Sequence, residues 1–180
     1  MASERATWGA RRAVERLIEN VRESGARDEL AKRLERRVEL LDVNEKRRND
    51  LLELARLHAS LADLQASTQT YERLLREHGA EDEVADELAK VLAEDGQTER
   101  LATLLDDEAN RAEDPQRKAS LFTELGAVKV RMNARSEAAA AYAKALDHAP
   151  ALDDARVGLE ALLDELVEQA PLYRTMVGSL

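Results

Sequence analysis

FTELGAVKVRMNARSEAAAAYAKALDHAP, residues 122–150, is the stretch that decides how this chain folds. Phe122, Leu125, Gly126 and Lys129 recur at spacings of 3, 4 and 7 and so share one stripe of a helix, while Ala138, Tyr142 and Ala145 form a second stripe. The two stripes are expected to face each other. Glycine inside a helix costs roughly 0.8–1 kcal/mol relative to alanine, so Gly126 calls for a packing reason. Beside Ala138 it would let two backbones approach closely, with Tyr142 filling the space next to them. Pro150 lacks an N–H and clashes with the preceding turn, so it ends the second helix and starts the next unit.

The same order of residues recurs 71 positions earlier as Leu51, Leu54, Ala55, His58, then Ser67, Tyr71, Leu74 and Gly79. Two repeats of about 35 residues fit that interval. Between them stand Ala85, Leu88, Ala89 and Leu92, then Asp95-Gly96 as a turn, then Leu101 and Leu105. Ala85 follows Leu51 by 34 residues, whereas Phe122 lies 37 residues further on. The three extra residues predict a longer loop near 110–116, with Pro115 as its breaker or as the first residue of the next helix. Before Leu51, Val14, Leu17, Ile18 and Val21 form a stripe closed by Ser24-Gly25, and Asp28 opens another carrying Leu30, Leu34, Val38 and Leu41. After Pro150 come Ala155, Gly158, Leu159 and Leu162. Pro171 then opens a short last segment, which reads as a capping helix or, by preference, as the cut edge of a longer array.

This pattern resembles the tetratricopeptide-repeat family, in which a large residue, Leu-Gly and a tyrosine-like position precede Ala, an aromatic and a closing Pro. Lys129 departs from it where an aromatic is usual, and its aliphatic stem is expected to cover the same surface. The resemblance implies an all-α fold, a right-handed α-solenoid of stacked antiparallel helix pairs. The expected organisation is one domain over 1–180, with helix pairs at 11–43, 46–79, 82–113 and 116–149 and a terminal partial pair at 152–180.

Composition agrees with helices and excludes several functions. The chain is 180 residues long, 44% hydrophobic and 36% charged but only 3% aromatic, too poor in sheet-forming residues for strands to be expected. Its net charge of −10 is uneven. Residues 77–114 hold 14 acids and three bases, which argues against a nonspecific nucleic-acid binder and weakens the reading of an RNA-binding helical repeat. There is no cysteine, hence no disulfide framework and no zinc–thiolate site. No apolar run suggests a signal peptide or a membrane span, so a cytoplasmic location with no membrane association is expected.

Chemistry-bearing clusters read as structural. His58, His78 and His148 share no ligand spacing, so no metal and no cofactor is proposed. The acid pairs Asp106-Asp107 and Asp153-Asp154 point about 100° apart on a helix, and Asp82, Asp114 and Asp153 stand near helix starts, where carboxylates cap. With no phosphate loop and no nucleophile-and-base pair, the chain is read as not an enzyme. Arg33, Arg36, Arg37, Lys46, Arg47 and Arg48 read as surface charges paired locally with Glu35, Glu39 and Glu45.

In the family, the first helix of each pair lines a concave groove that takes peptides. Carried over by position, the groove would show Asn49, Leu52 and Arg56, then Glu83, Asp86 and Lys90, then Thr123, Ala127, Val130 and Arg131. Arg56, Lys90 and Arg131 would fix carboxylates or carbonyls of a bound segment, while Leu52, Ala127 and Val130 bury its apolar side chains. The function implied is a noncatalytic protein–protein interaction module, a scaffold for a protein or peptide partner in a larger assembly. The alternative is a structural spacer in a longer helical-repeat protein. Trp8 is read as a lid on the first pair. Leu172, Tyr173, Met176 and Val177 would leave an apolar patch, giving a monomer or a weak dimer through the C-terminal end.

Overall fold

In the computed structural model the described residues are 15–22 and 25–164, and they contain helices and no strand. Trp8, Val14, Ser24 and the segment from Pro171 to Leu180, for which an apolar patch is expected, lie outside them. The helices are α1 (15–22), α2 (Arg27–Leu40), α3 (Glu45–Ser60), α4 (Leu64–His78), α5 (Asp82–Glu94), α6 (Thr98–Arg111), α7 (Pro115–Arg131), α8 (Arg135–His148) and α9 (153–164). They fall into two compact units, one ending at Gly96 and one beginning at Gln97.

In the first unit α2 packs on α3, α3 on α4 and α4 on α5. Its core begins where Ile18 of α1 meets Ala31 and Leu34 of α2 and Leu54 of α3. The stripes predicted by periodicity are the buried faces: Leu34 and Val38, then Leu51, Leu54 and Ala55, then Tyr71 and Leu74, then Ala85, Leu88 and Leu92. Leu17 is instead largely exposed. Ser67, fully buried on α4, donates its hydroxyl to the Ala55 carbonyl at 2.9 Å, so the small position that lets the two helices approach also ties them. Asn44 and Asp63 cap α3 and α4 by accepting from the Arg47 and Ala66 amides.

In the second unit α6 packs on α7 and α7 on α8. Tyr142 is buried against two glycines. A Cβ placed on Gly126 of α7 would lie 2.6 Å from its ring, and one on Gly158 of α9 would lie 2.5 Å away, so neither position has room for a side chain. This is the packing reason that the glycine at 126 required. Around the ring, α8 buries only alanines, Ala138, Ala141 and Ala145. Phe122 stacks on the imidazole of His148 with ring centres 6.1 Å apart.

The longer loop predicted near 110–116 does not form. Helix α6 continues to Arg111 and α7 already starts at Pro115, leaving the connection three residues long. Asp114 accepts from the Arg117 amide at 2.8 Å, and Pro115 sits in the first turn, where its missing N–H has no partner to lose. The extra residues lengthen helix, because this cap and proline start α7 early.

Candidate functional site

The face predicted for ligand binding is exposed in both units. In the first, Asn49 and Arg56 of α3 and Glu83 and Lys90 of α5 are exposed, and Leu52 and Asp86 are partly so. In the second, Val130 and Arg131 of α7 are exposed, and Thr123 and Ala127 are half-buried. The residues between them on each helix form the core, as a two-faced helix requires.

The structure brings two of the predicted residues, Arg56 and Glu83, into one polar cluster with Glu87 and Tyr71, which were not predicted for this face. Arg56 donates to Glu83 at 2.9 Å and, through Nε, to both carboxylate oxygens of Glu87, at 2.9 and 3.2 Å. The Tyr71 hydroxyl donates to the same Glu87 at 2.6 Å. Hydrogen bonds from Arg56 hold the Glu87 carboxyl below its usual range, with a smaller contribution from Tyr71. Burial, then the bond to Glu87, pushes the Tyr71 phenol up. The Arg56 guanidinium is therefore already paired with two carboxylates of its own chain. Asn49 is also engaged, accepting from Arg48 at 3.0 Å.

Arg131 differs: among the described residues it forms no hydrogen bond or ion pair, and its charge only opposes the burial that raises the Tyr142 phenol. It stands next to exposed Val130, and Thr123, two turns earlier on α7, bonds its hydroxyl to the Ala119 carbonyl. The apolar and cationic contacts predicted for a ligand thus coexist, unspent, only on α7 among the described faces.

The basic clusters expected to pair locally pair mostly across helices. Arg37 forms a buried two-pronged pair with Asp50, its Nε lying 2.6 Å from the carboxylate. Arg47 reaches Glu77 at 2.7 and 2.9 Å and also the carbonyls of Val38 and Leu41, and Arg73 adds a bond to Glu77 at 2.8 Å. These bonds, Arg47 first, hold Glu77 at about 2. Arg48 pairs with Glu81 and lowers its pKa in the same way. Arg33 keeps to a local pattern, with Glu29 one turn away. Two further pairs recur at the repeat period: Arg22 with Glu53, and 34 residues on, Arg56 with Glu87. That Arg/Glu spacing, 31 in both cases, was a signal available in the sequence.

A second feature was not read from the sequence at all. In the second unit a cleft of about 480 Å³ opens between α6, the end of α7 and α8. Its floor is Ala102, Leu125, Ala141 and Met132, and one wall carries Glu99, Asp106 and Asp107 of α6. Lys129, whose stem was expected to cover this surface with its charge in water, lines the cleft mostly buried and instead pairs its ammonium with Glu137. No group of three or more acidic or histidine side chains among the described residues is placed to hold a metal ion. Among them, too, no helix is long and apolar enough to cross a membrane.

No protein-family model and no curated protein matches the sequence. Solved structures do match in fold. A tetratricopeptide repeat protein from Parabacteroides merdae superimposes with a TM-score of 0.62 at 17% identity, over 93% of this chain and 67% of the other. MamA from Desulfovibrio magneticus gives 0.53 at 14%, over 92% and 96%. The pilF protein of Pseudomonas aeruginosa gives 0.55 at 17%, over 94% and 74%. With the tyrosine-and-small-residue contacts described above, these likenesses establish that the chain has the all-helical fold of the tetratricopeptide-repeat proteins.

Proposed function

We propose that the chain is a noncatalytic protein–protein interaction module, cytoplasmic, that holds peptide or protein segments on the exposed faces of α3 and α5 in the first unit and of α7 in the second, and acts as a scaffold in a larger assembly. The observation that carries this reading is on α7, where exposed Val130 adjoins Arg131, a cation with no ionic partner among the described residues. An apolar contact beside a free guanidinium suits a segment that brings both a hydrophobic side chain and a carboxylate or carbonyl. Lys90 on α5 offers a second exposed cation, close enough to Glu87 to lower its pKa. The acidity of the chain as a whole disfavours nucleic acid.

One observation favours the spacer alternative: the Arg56 guanidinium is consumed by Glu83 and Glu87, so that part of the face serves the chain's own cohesion. The two readings part in a peptide-display selection on the immobilised protein. Enriched peptides whose affinity falls at least tenfold with Arg131→Glu or Val130→Asp, at an unchanged melting temperature, support the interaction module. No enrichment, or peptides indifferent to both changes, leaves the spacer.

A further inference from the structure

The cleft of the second unit has a chemistry distinct from the α7 face. The carboxylates of Glu99, Asp106 and Asp107 have no hydrogen-bonding or ionic partner among the described residues. Glu99 and Asp106 stand seven residues apart on α6, hence on one face and about 11 Å along it, while Asp107 is turned about 100° from Asp106 and still lines the cleft. The cations of the cleft do not answer them. Lys129 is neutralised by Glu137, and the Lys144 ammonium lies 4.9 Å from the centre of the Phe122 ring. Beneath this acidic wall the floor is apolar, with Leu125 buried and Met132 half-exposed, a side chain flexible enough to mould to what it touches. The volume, about 480 Å³, is that of a site for a few side chains.

We infer that this cleft docks an amphipathic segment of another protein that carries lysine or arginine along one edge and an apolar side chain between. The basic edge lies against α6, and the apolar side chain enters over Leu125 and Met132. An acidic or uncharged segment would leave three carboxylates facing it without a counter-charge, so the wall selects sign as well as shape. The site is independent of the α7 face, and either can fail without the other.

The test uses the full chain and three fluorescein-labelled fifteen-residue peptides: a lysine/leucine amphipathic helix, its glutamate/leucine counterpart and a lysine/serine peptide. Fluorescence anisotropy at 150 mM salt should show the lysine/leucine peptide binding at least tenfold more tightly than the other two. The triple variant Glu99→Lys, Asp106→Lys, Asp107→Lys should abolish that preference. A control of equal net charge, Asp147→Lys, Asp153→Lys, Asp154→Lys, should retain it, as should Arg131→Ala. Met132→Gln, which leaves every charge in place, should weaken binding several-fold and keeps the test valid if the triple variant does not fold. Equal losses in the two charge-reversed variants would mean that the acidic protein attracts any cation, and would overturn the proposal. So would self-association by sedimentation that the cleft variant abolishes, since the occupant would then be a second copy of the chain.

Discussion

Tyr71 and Tyr142 occupy the same point of their repeats, 71 residues apart, and both are buried, yet the two units hold them by different means. In the first unit the hydroxyl is tied to Glu87, which Arg56 also grips. Seventy-one residues on, the counterparts of Ala55, Arg56 and Glu87 are Gly126, Ala127 and Gly158. The carboxylate and its arginine have gone, and the ring fills the space between two glycines instead. One motif position therefore supports two kinds of cohesion, directional and polar in the first unit, steric in the second. The consequence for binding is direct: polar cohesion uses up the cation of the α3 face, and steric cohesion leaves Arg131 of α7 free.

The largest effect is expected from Tyr142→Ala. Removing the ring from a site closed by two helices should cost about 3–5 kcal/mol, seen as a lower denaturation midpoint for the second unit, and an unchanged midpoint would show that the glycine slot does not depend on the ring. A smaller effect separates crowding from propensity. Gly158→Ala gains roughly 0.8–1 kcal/mol of helix propensity, but its methyl would meet the ring at 2.5 Å. Because Gly126 blocks the ring's retreat, overpacking of about 1–3 kcal/mol should win, for a net loss of about 1 kcal/mol. In a Tyr142→Leu background the same change should turn stabilising. A loss of equal size in both backgrounds would place the cost in α9 itself.

Acid should act on the other unit. Glu77 is held at about 2, and Glu81 and Glu87 are lowered as well, each by arginine hydrogen bonds. A depressed carboxyl contributes stability that is complete above its ordinary pKa, near 4.5, and is lost as pH falls towards the folded value. Between about pH 5 and 2 the first unit should therefore lose roughly 1 kcal/mol after allowance for solvent screening, and Glu77→Gln should remove much of that dependence. Hydrogen exchange resolved by segment at about pH 2.5 and 6 checks it: α3 to α5 should lose protection before α7 and α8. Simultaneous loss would contradict the division into polar and steric units.

What the sequence made legible follows the same division. Steric cohesion is written locally, as apolar and small residues at helical spacing, and so the stripes, Gly126 with Tyr142, and the capping role of Asp114 could all be read. The ion pairs could not be read from spacing on one helix. Arg56 meets Glu87 and Arg47 meets Glu77 only because neighbouring helices stand in one register, which is a property of the packed stack. The three-residue surplus before Phe122 was misplaced for a related reason. A cap and a proline can convert loop into helix, and residue counting alone does not see that. The cleft was invisible because its walls come from three helices and no single stretch announces it.

The two tyrosine hydroxyls give a prediction of about 1 kcal/mol. Tyr71→Phe deletes a bond to a charged acceptor and should destabilise by about 1 kcal/mol, whereas Tyr142→Phe, whose hydroxyl makes no hydrogen bond among the described residues, should stay within about 0.5 kcal/mol. Equal effects would show that the phenol of Tyr142 is also tied.

The smallest expected difference lies between the two arginines and bears most directly on function. Read from exposure alone, Arg56 and Arg131 are alike, surface cations whose reversal should leave stability nearly unchanged. Their partners in the structure separate them. Arg56→Glu would put a third carboxylate beside Glu83 and Glu87 and remove the hydrogen bonds that lower the Glu87 pKa beside the Tyr71 hydroxyl. Its side chain is nearly half exposed, so the pair itself contributes no more than about 1 kcal/mol and is weakened by salt. Arg131→Glu removes no pair and should change stability by less than about 0.5 kcal/mol. Melting both variants at low and at about 1 M salt should therefore show a deficit for Arg56→Glu that shrinks as salt rises, and none for Arg131→Glu at either concentration. If Arg131→Glu proved the more damaging, its guanidinium would be serving the fold, and the α7 face would lose the free cation on which its binding role rests.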